Sequence, residues 1–306
     1  MEYWAGVDVG GTKTHAIAIT EAGDILAEAR SSTGYGALQV VDSVVATLEQ
    51  VASMLGIDAA GFAGIGIGVP GAVDAVTGTV CHALNIGVDR LDLAERIHHR
   101  LGVSAEVEND VKAAALGAAR QLNHSTGGLA YLNLGTGLAA GLVLGGRLWR
   151  GSTGTAGEIG HIPIDPLGHM CACGQRGCLE TSASGAAVAR QWPTPNGSAI
   201  NALLEAVGDG DPAARRVLDR LADHVAIAVK VLVLTVDVET VVLGGGLSSA
   251  GERLREKVAI SLDRDSESSG FLASLHLSGR VGIVPDVDSV GALGAALVGS
   301  GALRQR

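Results

Sequence analysis

Apolar and polar positions alternate with two different periods along most of the chain. Short apolar runs bounded by glycine or proline predict strands, and segments whose apolar residues recur every three or four positions predict helices. The predicted strands are two within 4–20 and one each at 64–69, 104–107, 240–243 and 282–284. The predicted helices lie at 37–55, 91–101, 111–122, 184–191, 213–232 and 290–303, and a further helix starts near residue 251. Strands and helices that alternate in this way predict an α/β fold.

The first strand pair has a second copy further along the chain. AGVDVGGTKTHAIAI from residue 5 aligns with AYLNLGTGLAAGLVL from residue 130, so that Asp8 falls on Asn133 and Gly10 falls on Gly135. Each copy predicts a hairpin whose glycine-rich turn exposes backbone N–H groups to phosphate oxygens, and a carboxylate at Asp8 can hold Mg²⁺. A Gly-Gly turn alone is more often only a hairpin turn. Two copies favour a pair of turns that hold one polyphosphate.

Two further segments carry candidate binding chemistry. Asn109 and Asp110 lie where a predicted strand ends and a predicted helix begins, a place where polar side chains face a ligand in α/β folds. Helix capping is the alternative explanation for Asp110, and one side chain can serve both purposes. Gly245 and Gly246 follow another predicted strand, and there the backbone can lie against a nucleotide ring or ribose.

A cluster of soft ligands lies within residues 161–178. It consists of His161, Cys171, Cys173 and Cys178, with turn-forming glycines between the cysteines. Three thiolates and an imidazole predict a tetrahedral structural Zn²⁺ site that leaves no open coordination position. A disulfide or unligated buried thiols are the alternatives.

Composition narrows the class of partner and the compartment. The 306 residues are 47% hydrophobic, which is enough for more than one core and favours two lobes. The formal net charge of −10 argues against nucleic acid as a partner. No segment resembles a secretory signal or a membrane span, so we expect a cytoplasmic protein with reduced cysteines. The 45 glycines indicate many tight turns and close approaches to a small, phosphorylated ligand.

Seven motifs follow one another along the chain in a fixed order. They are DVGGTK from Asp8, GVPG from Gly68, END from Glu108, LGTGLAAGLVLGGRL from Leu134, GEIGH from Gly157, CACGQRGCLE from Cys171 and LGGG from Leu243. Together they resemble the ROK family, which groups bacterial sugar kinases, open-reading-frame proteins and sugar-responsive repressors. The resemblance covers nearly the whole chain, and its ordered CxCGxxGCxE block is highly specific.

The resemblance implies an actin-like and hexokinase-like ATPase fold, with two ribonuclease H-like lobes and a cleft between them that holds a sugar and ATP. It implies an N-terminal lobe at 1–120, completed by a C-terminal helix at 290–306, and a C-terminal lobe at 121–289 that carries the zinc-binding segment. It also suggests a homodimer or homotetramer.

The resemblance further implies roles for individual residues. Asp110 matches the catalytic base that takes the proton of the attacking sugar hydroxyl. The positions implied to hold the sugar are Gly71, Asn85, Asn109, Asp110, Glu158, His161 and Glu180. The positions implied to hold ATP are Asp8, Gly10, Gly11, Thr12, Lys13, Gly135, Thr136, Gly137, Gly245 and Gly246. His161 would bind zinc through one ring nitrogen while the other nitrogen faces the sugar.

The expected activity is ATP-dependent phosphorylation of a hexose, with glucose as the first candidate substrate. N-acetylglucosamine and N-acetylmannosamine are alternatives, because Ile86, Gly87 and Val88 follow Asn85 where many family glucokinases place a tryptophan. Polyphosphate is an alternative donor, but relatives that use it typically lack the cysteine block. The alternative from another class is a non-catalytic sugar sensor related to the family repressors. Those add a winged-helix domain in front of the sugar lobe, whereas the first predicted hairpin here begins at Trp4.

Overall fold

The computed structural model describes residues 2–195 and 197–301, and it confirms the predicted α/β class. The strands, in chain order, are β1 Trp4–Val9, β2 Lys13–Ile19, β3 Ile25–Ser32, β4 Gly64–Val69, β5 Ala72–Asp74, β6 Thr79–Ala83, β7 Val88–Asp92, β8 Ala105–Asn109, β9 Gly128–Leu134, β10 Leu138–Leu144, β11 Arg147–Trp149, β12 Thr240–Gly244 and β13 Val281–Ile283. The α-helices are α1 Ala37–Met54, α2 Leu93–Leu101, α3 Asp110–Gln121, α4 Gly185–Gln191, α5 Ala199–Gly208, α6 Pro212–Val236, α7 Glu252–Glu267, α8 Gly270–Ser274 and α9 Val290–Gly299.

The chain divides into two compact units, and each unit is assembled from separate segments. One unit takes the described residues of Met1–Ser125, Gly141–Ala156 and Asp288–Arg306. The other unit takes those of Thr126–Ala140 and Gly157–Val287. The chain thus enters the first unit again at its C-terminal end, where α9 lies.

The first five-stranded sheet has the order β3-β2-β1-β4-β8. β1 pairs antiparallel with β2 and parallel with β4, which in turn pairs parallel with β8. Because side chains alternate along a strand, the valines of β1 and the isoleucines of β4 share one core with α1. Gly6 and Gly66 lie on the opposite face, against the backbone of α9. Asp8 has the same alternation as Gly6 and therefore emerges on the α9 face.

The second five-stranded sheet repeats this arrangement, with the order β11-β10-β9-β12-β13. A three-stranded antiparallel meander again supplies one end, β12 pairs parallel with β9, and β13 pairs parallel with β12. The predicted duplication of the hairpin is therefore confirmed, and it extends to the order of the whole sheet. A third, small sheet is formed by β5, β6 and β7 in antiparallel pairing.

Three predicted helices have ends that the structure corrects, and one of them, predicted at 213–232, runs from Pro212 to Val236. The helix predicted at 91–101 begins at Leu93, because Leu91 and Asp92 pair with β6 as the end of β7. The final predicted helix ends at Gly299, since Gly301 adopts a left-handed backbone conformation with φ of 63°. Residues 302–306 of the helix predicted at 290–306 lie outside the described residues.

Several elements were not predicted at all. They are β3, the small sheet, β11 and helices α5 and α8. Within residues 2–195 and 197–301, none of the helices has both the length and the apolar character that crossing a membrane requires.

Candidate functional site

The turn between β1 and β2 presents open backbone. The N–H of Gly10 donates to the carbonyl of Lys13 at 2.9 Å and closes the turn. Gly11, Thr12 and Lys13 are exposed, while Gly10 is half-buried. A closed turn with exposed glycine backbone and no bulky side chain suits the binding of phosphate oxygens.

Asp8 lies two residues before this turn and has an unusual electrostatic environment. Burial, and secondly the charge of Asp110, raises the pKa of Asp8 to about 7. A Cβ atom at Gly291, near the start of α9, would lie 2.7 Å from Asp8 Cγ. A side chain at position 291 would therefore displace the carboxylate. Gly291 therefore belongs to the site, whereas its small size in the sequence predicts only close helix packing.

Asn109 and Asp110 form a closed hydrogen-bonded unit at the junction of β8 and α3. Asn109 Oδ1 accepts the N–H groups of Val111 at 3.1 Å and Lys112 at 3.2 Å, so Asn109 is the N-cap of α3. Asn109 Nδ2 donates to Gly71 O at 3.2 Å and to Asp110 Oδ1 at 3.0 Å. Asp110 Oδ1 also accepts the N–H of Val111 at 2.9 Å. These bonds fix the orientation of the Asp110 carboxylate.

An ion pair between buried Glu108 and half-buried Arg150 supports this junction. Glu108 is 2% exposed, and its Oε1 accepts the N–H of Asn109 at 2.9 Å. Its Oε2 accepts Arg150 Nε at 2.6 Å. Sequence reasoning missed Arg150, because 42 positions separate it from Glu108 and no local pattern connects the two residues.

Asn85 is brought to the first turn by the small sheet. It lies in a short 3₁₀ helix, Leu84–Ile86, between β6 and β7. Its Nδ2 lies 3.7 Å from the place where a Cβ atom would stand on Gly11. In the first unit the structure thus brings together Gly11 with Asn85, Gly71 with Asn109, and Asp8 with Asp110.

The turn between β9 and β10 is the second glycine-rich turn. Gly135 O and Thr136 O accept the N–H groups of Gly185 at 2.7 Å and Ala186 at 3.2 Å. The backbone N of Gly135 would lie 2.8 Å from a Cβ atom on Gly245, whose φ is 75°. The LGGG segment thus packs directly against the second turn.

Gly246 begins a 3₁₀ helix, Gly246–Ala250, and nothing lies within 4 Å of the place that its Cβ atom would take. That space is open for a ligand to approach the backbone closely.

Glu180 connects the second turn to the cysteine cluster. Its Oε2 accepts the N–H of Leu138, the first residue of β10, at 3.1 Å and would lie 2.4 Å from a Cβ atom on Gly137. Its Oε1 lies 3.7 Å from Cys171 Sγ. Glu158 is exposed, and its carbonyl accepts the N–H of His161 at 3.2 Å.

The four predicted metal ligands converge, since one ligand atom from each of His161, Cys171, Cys173 and Cys178 lies within 4.8 Å of all the others. Cys171 Sγ is 3.7 Å from His161 Nδ1, and Cys173 Sγ is 3.6 Å from Cys178 Sγ. All of these cysteines are free, so the disulfide alternative is not what the structure contains. The group can hold a metal ion.

The thiols of this cluster differ in acidity. Hydrogen bonds from Gln175 lower the pKa of Cys173 to about 6. Burial raises the pKa of Cys171, and it raises the pKa of Cys178 to about 12. Cys173 is therefore the most acidic of these three thiols.

The family is established by comparison with known proteins. The family model described as ROK family matches residues 4–297. The chain belongs to the ROK family. This membership confirms the resemblance that the seven ordered motifs indicated.

Known relatives include kinases for two different sugars. A glucokinase from Halalkalibacterium halodurans is 31% identical over 294 residues, covering 88% of this chain and 89% of the relative. An N-acetylmannosamine kinase from Vibrio cholerae is 32% identical over 257 residues, covering 82% of this chain and 88% of the relative.

A solved structure gives the fold relationship. The crystal structure of a ROK family glucokinase from Streptomyces griseus, in complex with glucose and AMPPNP, matches with a TM-score of 0.81 at 31% identity. The match covers 97% of this chain and 99% of that chain. The predicted actin-like and hexokinase-like fold class is confirmed by this likeness.

Proposed function

We propose that this chain is an ATP-dependent hexose kinase that converts glucose to glucose 6-phosphate. The observation that carries the proposal is the carboxylate of Asp110, held in one orientation by Asn109 and the start of α3 and lying close enough to Asp8 to raise its pKa. The relatives that support glucose and ATP are the glucokinase from Halalkalibacterium halodurans and the Streptomyces griseus enzyme with its two ligands.

In the proposed reaction Asp110 accepts the proton of the attacking sugar hydroxyl. Phosphoryl transfer depends mainly on positioning and on neutralising charge, so the enzyme needs a fixed base and a fixed phosphate donor. Asn109 provides the first requirement by donating to Asp110 while it caps α3. We propose that Gly71, Asn85 and Asn109 hold the sugar in the first unit.

In the second unit we propose that Glu158, His161 and Glu180 hold sugar hydroxyls. Glu180 is suited to this because the N–H of Leu138 already directs one of its oxygens. A sugar that lacks the matching hydroxyl would leave these oriented polar groups without a hydrogen-bond partner. The site would therefore select strongly against such a sugar.

The nucleotide phosphates are assigned to the two glycine-rich turns. The residues proposed for ATP are Asp8, Gly10, Gly11, Thr12, Lys13, Gly135, Thr136, Gly137, Gly245 and Gly246. The exposed backbone of Gly11 and the packing of Gly245 against the second turn support this assignment.

The carboxylate of Asp8 fits a Mg²⁺ ion. The pKa of Asp8 is raised by burial and by a like charge, so a hard cation with oxygen ligands would relieve both effects. We propose that Asp8 holds the ion or its waters. When bound, the ion would neutralise charge on the phosphate oxygens.

The Cys and His cluster fits Zn²⁺ in a structural role. Two thiolates at about 2.3 Å from a tetrahedral zinc ion lie about 3.8 Å apart, close to the 3.6 Å between Cys173 and Cys178. Nδ1 of His161 is the nitrogen on the side of Cys171, which supports Nε2 as the nitrogen that faces the sugar. Four protein ligands leave no position for a water or a substrate, so zinc would order this segment rather than react.

N-acetylmannosamine is the second candidate substrate. The Vibrio cholerae N-acetylmannosamine kinase is 32% identical to this chain, compared with 31% for the Halalkalibacterium halodurans glucokinase. Gly87, with φ of 71°, also stands two residues after Asn85, in the segment where family glucokinases often carry tryptophan.

Solution properties complete the proposal. We propose a cytoplasmic homodimer or homotetramer whose ligands are a small sugar and ATP. The net charge of −10 supports the absence of a nucleic-acid partner.

A coupled ADP-release assay tests the proposed activity. Glucose, mannose, fructose, N-acetylglucosamine and N-acetylmannosamine are each supplied with ATP, and product formation is also measured with polyphosphate as donor. We expect turnover with ATP and the highest kcat/KM with glucose. If N-acetylmannosamine gives the highest kcat/KM, the second candidate replaces the first.

Asp110→Asn tests the base. We expect kcat to fall by at least about 10²-fold while sugar binding, measured by calorimetry, survives. Retained turnover would remove Asp110 from the role. Sugar binding by the wild-type chain without any sugar-dependent use of ATP would instead favour the sensor.

A further inference from the structure

Thr33 lies in the connection between β3 and α1 and contacts the first glycine-rich turn twice. Its hydroxyl donates to Gly10 O at 2.8 Å, and its backbone N–H donates to Thr12 O at 3.1 Å. The residue is 0% exposed, so water cannot replace these bonds. A buried carbonyl that loses its donor carries the cost of desolvation.

A row of hydroxyl groups continues from Thr33 into α1. Thr33 Oγ1 is 3.1 Å from Thr14 Oγ1, which is 3.2 Å from Ser43 Oγ, and Ser43 donates to Val40 O at 2.9 Å. Both ends of the row are carbonyl groups, which only accept hydrogen bonds. The proton of Thr33 is therefore committed to Gly10. Thr14 can direct its single proton to Thr33 or to Ser43.

The bond to Gly10 also sets the direction of the next N–H group. In a planar trans peptide the C=O of one residue and the N–H of the following residue point in opposite directions. Because Gly10 O is drawn inward to buried Thr33, the N–H of Gly11 is directed outward. Gly11 is exposed, and its N–H is thus turned toward the side where a phosphate could bind.

We propose that Thr33 is a positioning residue for nucleotide phosphate, acting through the Gly10–Gly11 peptide. The proposal rests on the proposed function, since it assumes that this turn binds the phosphates of ATP. Glycine leaves the backbone free to rotate, and the hydroxyl of Thr33 removes that freedom before the ligand arrives. The turn is then preorganised, and less of the binding free energy is spent on ordering it.

Three variants separate positioning from general stability. Thr33→Val keeps the shape of the side chain and removes the hydroxyl, whereas Thr33→Ser keeps the hydroxyl. Thr47→Val is the matched control, because Thr47 is also 0% exposed and its hydroxyl contacts Ser43 O and Ser31 Oγ rather than the turn. Each protein is titrated with AMPPNP and Mg²⁺ by calorimetry, and its KM values for ATP and for sugar are measured separately.

We expect Thr33→Val to weaken AMPPNP binding and to raise the KM for ATP by about tenfold, while the KM for sugar stays within about twofold. Thr33→Ser should restore values close to wild type. Thr47→Val should lower the thermal midpoint as Thr33→Val does, but leave nucleotide binding unchanged.

The proposal is overturned if Thr33→Val binds AMPPNP like wild type, if Thr47→Val weakens binding equally, or if Thr33→Ser gives no rescue. A wild-type chain that binds AMPPNP but turns over no sugar would refute the proposed kinase activity. The AMPPNP titrations of the variants would still test the role of Thr33. A wild-type chain that does not bind AMPPNP would refute both.

Discussion

At the scale of single residues, the environment decides what an aspartate can do. Asp8 and Asp110 are chemically identical, yet Asp110 is oriented by Asn109 and Val111, whereas Asp8 has its pKa raised to about 7. One carboxylate is thus suited to accept a proton in a fixed direction. The other is suited to receive a cation, because the ion would stabilise the ionised carboxylate that burial disfavours.

Asp8 should make the stability of the ligand-free chain depend on pH. The pKa of Asp8 lies at about 7 in the folded state and near 3.8 in an unfolded chain, so the folded state binds more protons between these values. The free energy of unfolding should therefore fall as the pH rises from about 4 to about 7 and then level off. Asp8→Asn should remove this contribution. Thermal midpoints of both proteins, measured without Mg²⁺ across this range, check the prediction.

Asp263→Asn is the control for the pH series, because Asp263 is exposed on α7. Its thermal midpoints should follow the wild-type curve. An Asp8→Asn curve as steep as that of wild type would show that Asp8 is not the titrating group.

At the scale of elements, α9 determines how close together Asp8 and Asp110 can lie. Its small residues let its backbone contact the backbone of α3 and of the first sheet directly. A Cβ atom on Gly294 would lie 1.7 Å from Ala113 O of α3, and one on Gly117 of α3 would lie 2.0 Å from Val290 O. The start of α9 contacts Asp8, and the start of α3 carries Asp110. Helix packing and site geometry are therefore coupled.

Gly294→Ala should separate α3 from α9. Overpacking of a tight contact costs about 1–3 kcal/mol, which exceeds the gain of about 1 kcal/mol in helix propensity. We expect a lower free energy of unfolding in urea and a lower kcat, since Asp8 and Asp110 would shift relative to each other.

Gly208→Ala provides the matched comparison, because Gly208 is also helical and nothing lies within 4 Å of its Cβ position. It should leave kcat unchanged and keep or slightly raise stability. Equal effects of the two substitutions would contradict the packing argument.

At the scale of the whole molecule, the same sheet order occurs twice and only the second copy is followed by the cysteine cluster. The segment from Gly157 to Thr181 contains only short 3₁₀ turns and the isolated bridges Pro163↔Cys178 and Met170↔Arg176. Its backbone hydrogen bonds close short turns and loops, as the N–H of Cys171 does with Gln175 O at 2.8 Å. A metal ion with four ligands would cross-link these turns.

Zinc removal should therefore destabilise the folded chain. We expect about one zinc ion per chain by metal analysis, and a thermal midpoint lowered by several degrees after chelation, because 1 kcal/mol corresponds to about 2–4 °C at this size. Cys178→Ser should abolish zinc binding. Zinc uptake should also release protons at neutral pH, since burial keeps the pKa of Cys171 and Cys178 above the ordinary value.

Cys81→Ser is the control for the zinc experiments, because Cys81 lies in β6, outside the cluster. It should retain the metal and the thermal midpoint. Equal zinc content in Cys178→Ser and wild type would end the assignment.

The sequence by itself determined the features that depend on neighbouring residues. These features are the strand and helix periods, the two glycine-rich turns, the Asn109 and Asp110 junction and the ligand spacing within residues 161–178. All of them are local, because they join residues that lie close together in the chain and can contact each other whatever the rest of the fold is. The tertiary structure alone decided the long-range contacts. Glu108 with Arg150, Asp8 with Gly291, and Gly10 with Thr33 join positions far apart in the chain. Their pairing follows from how sheets and helices pack, and no local pattern records that packing.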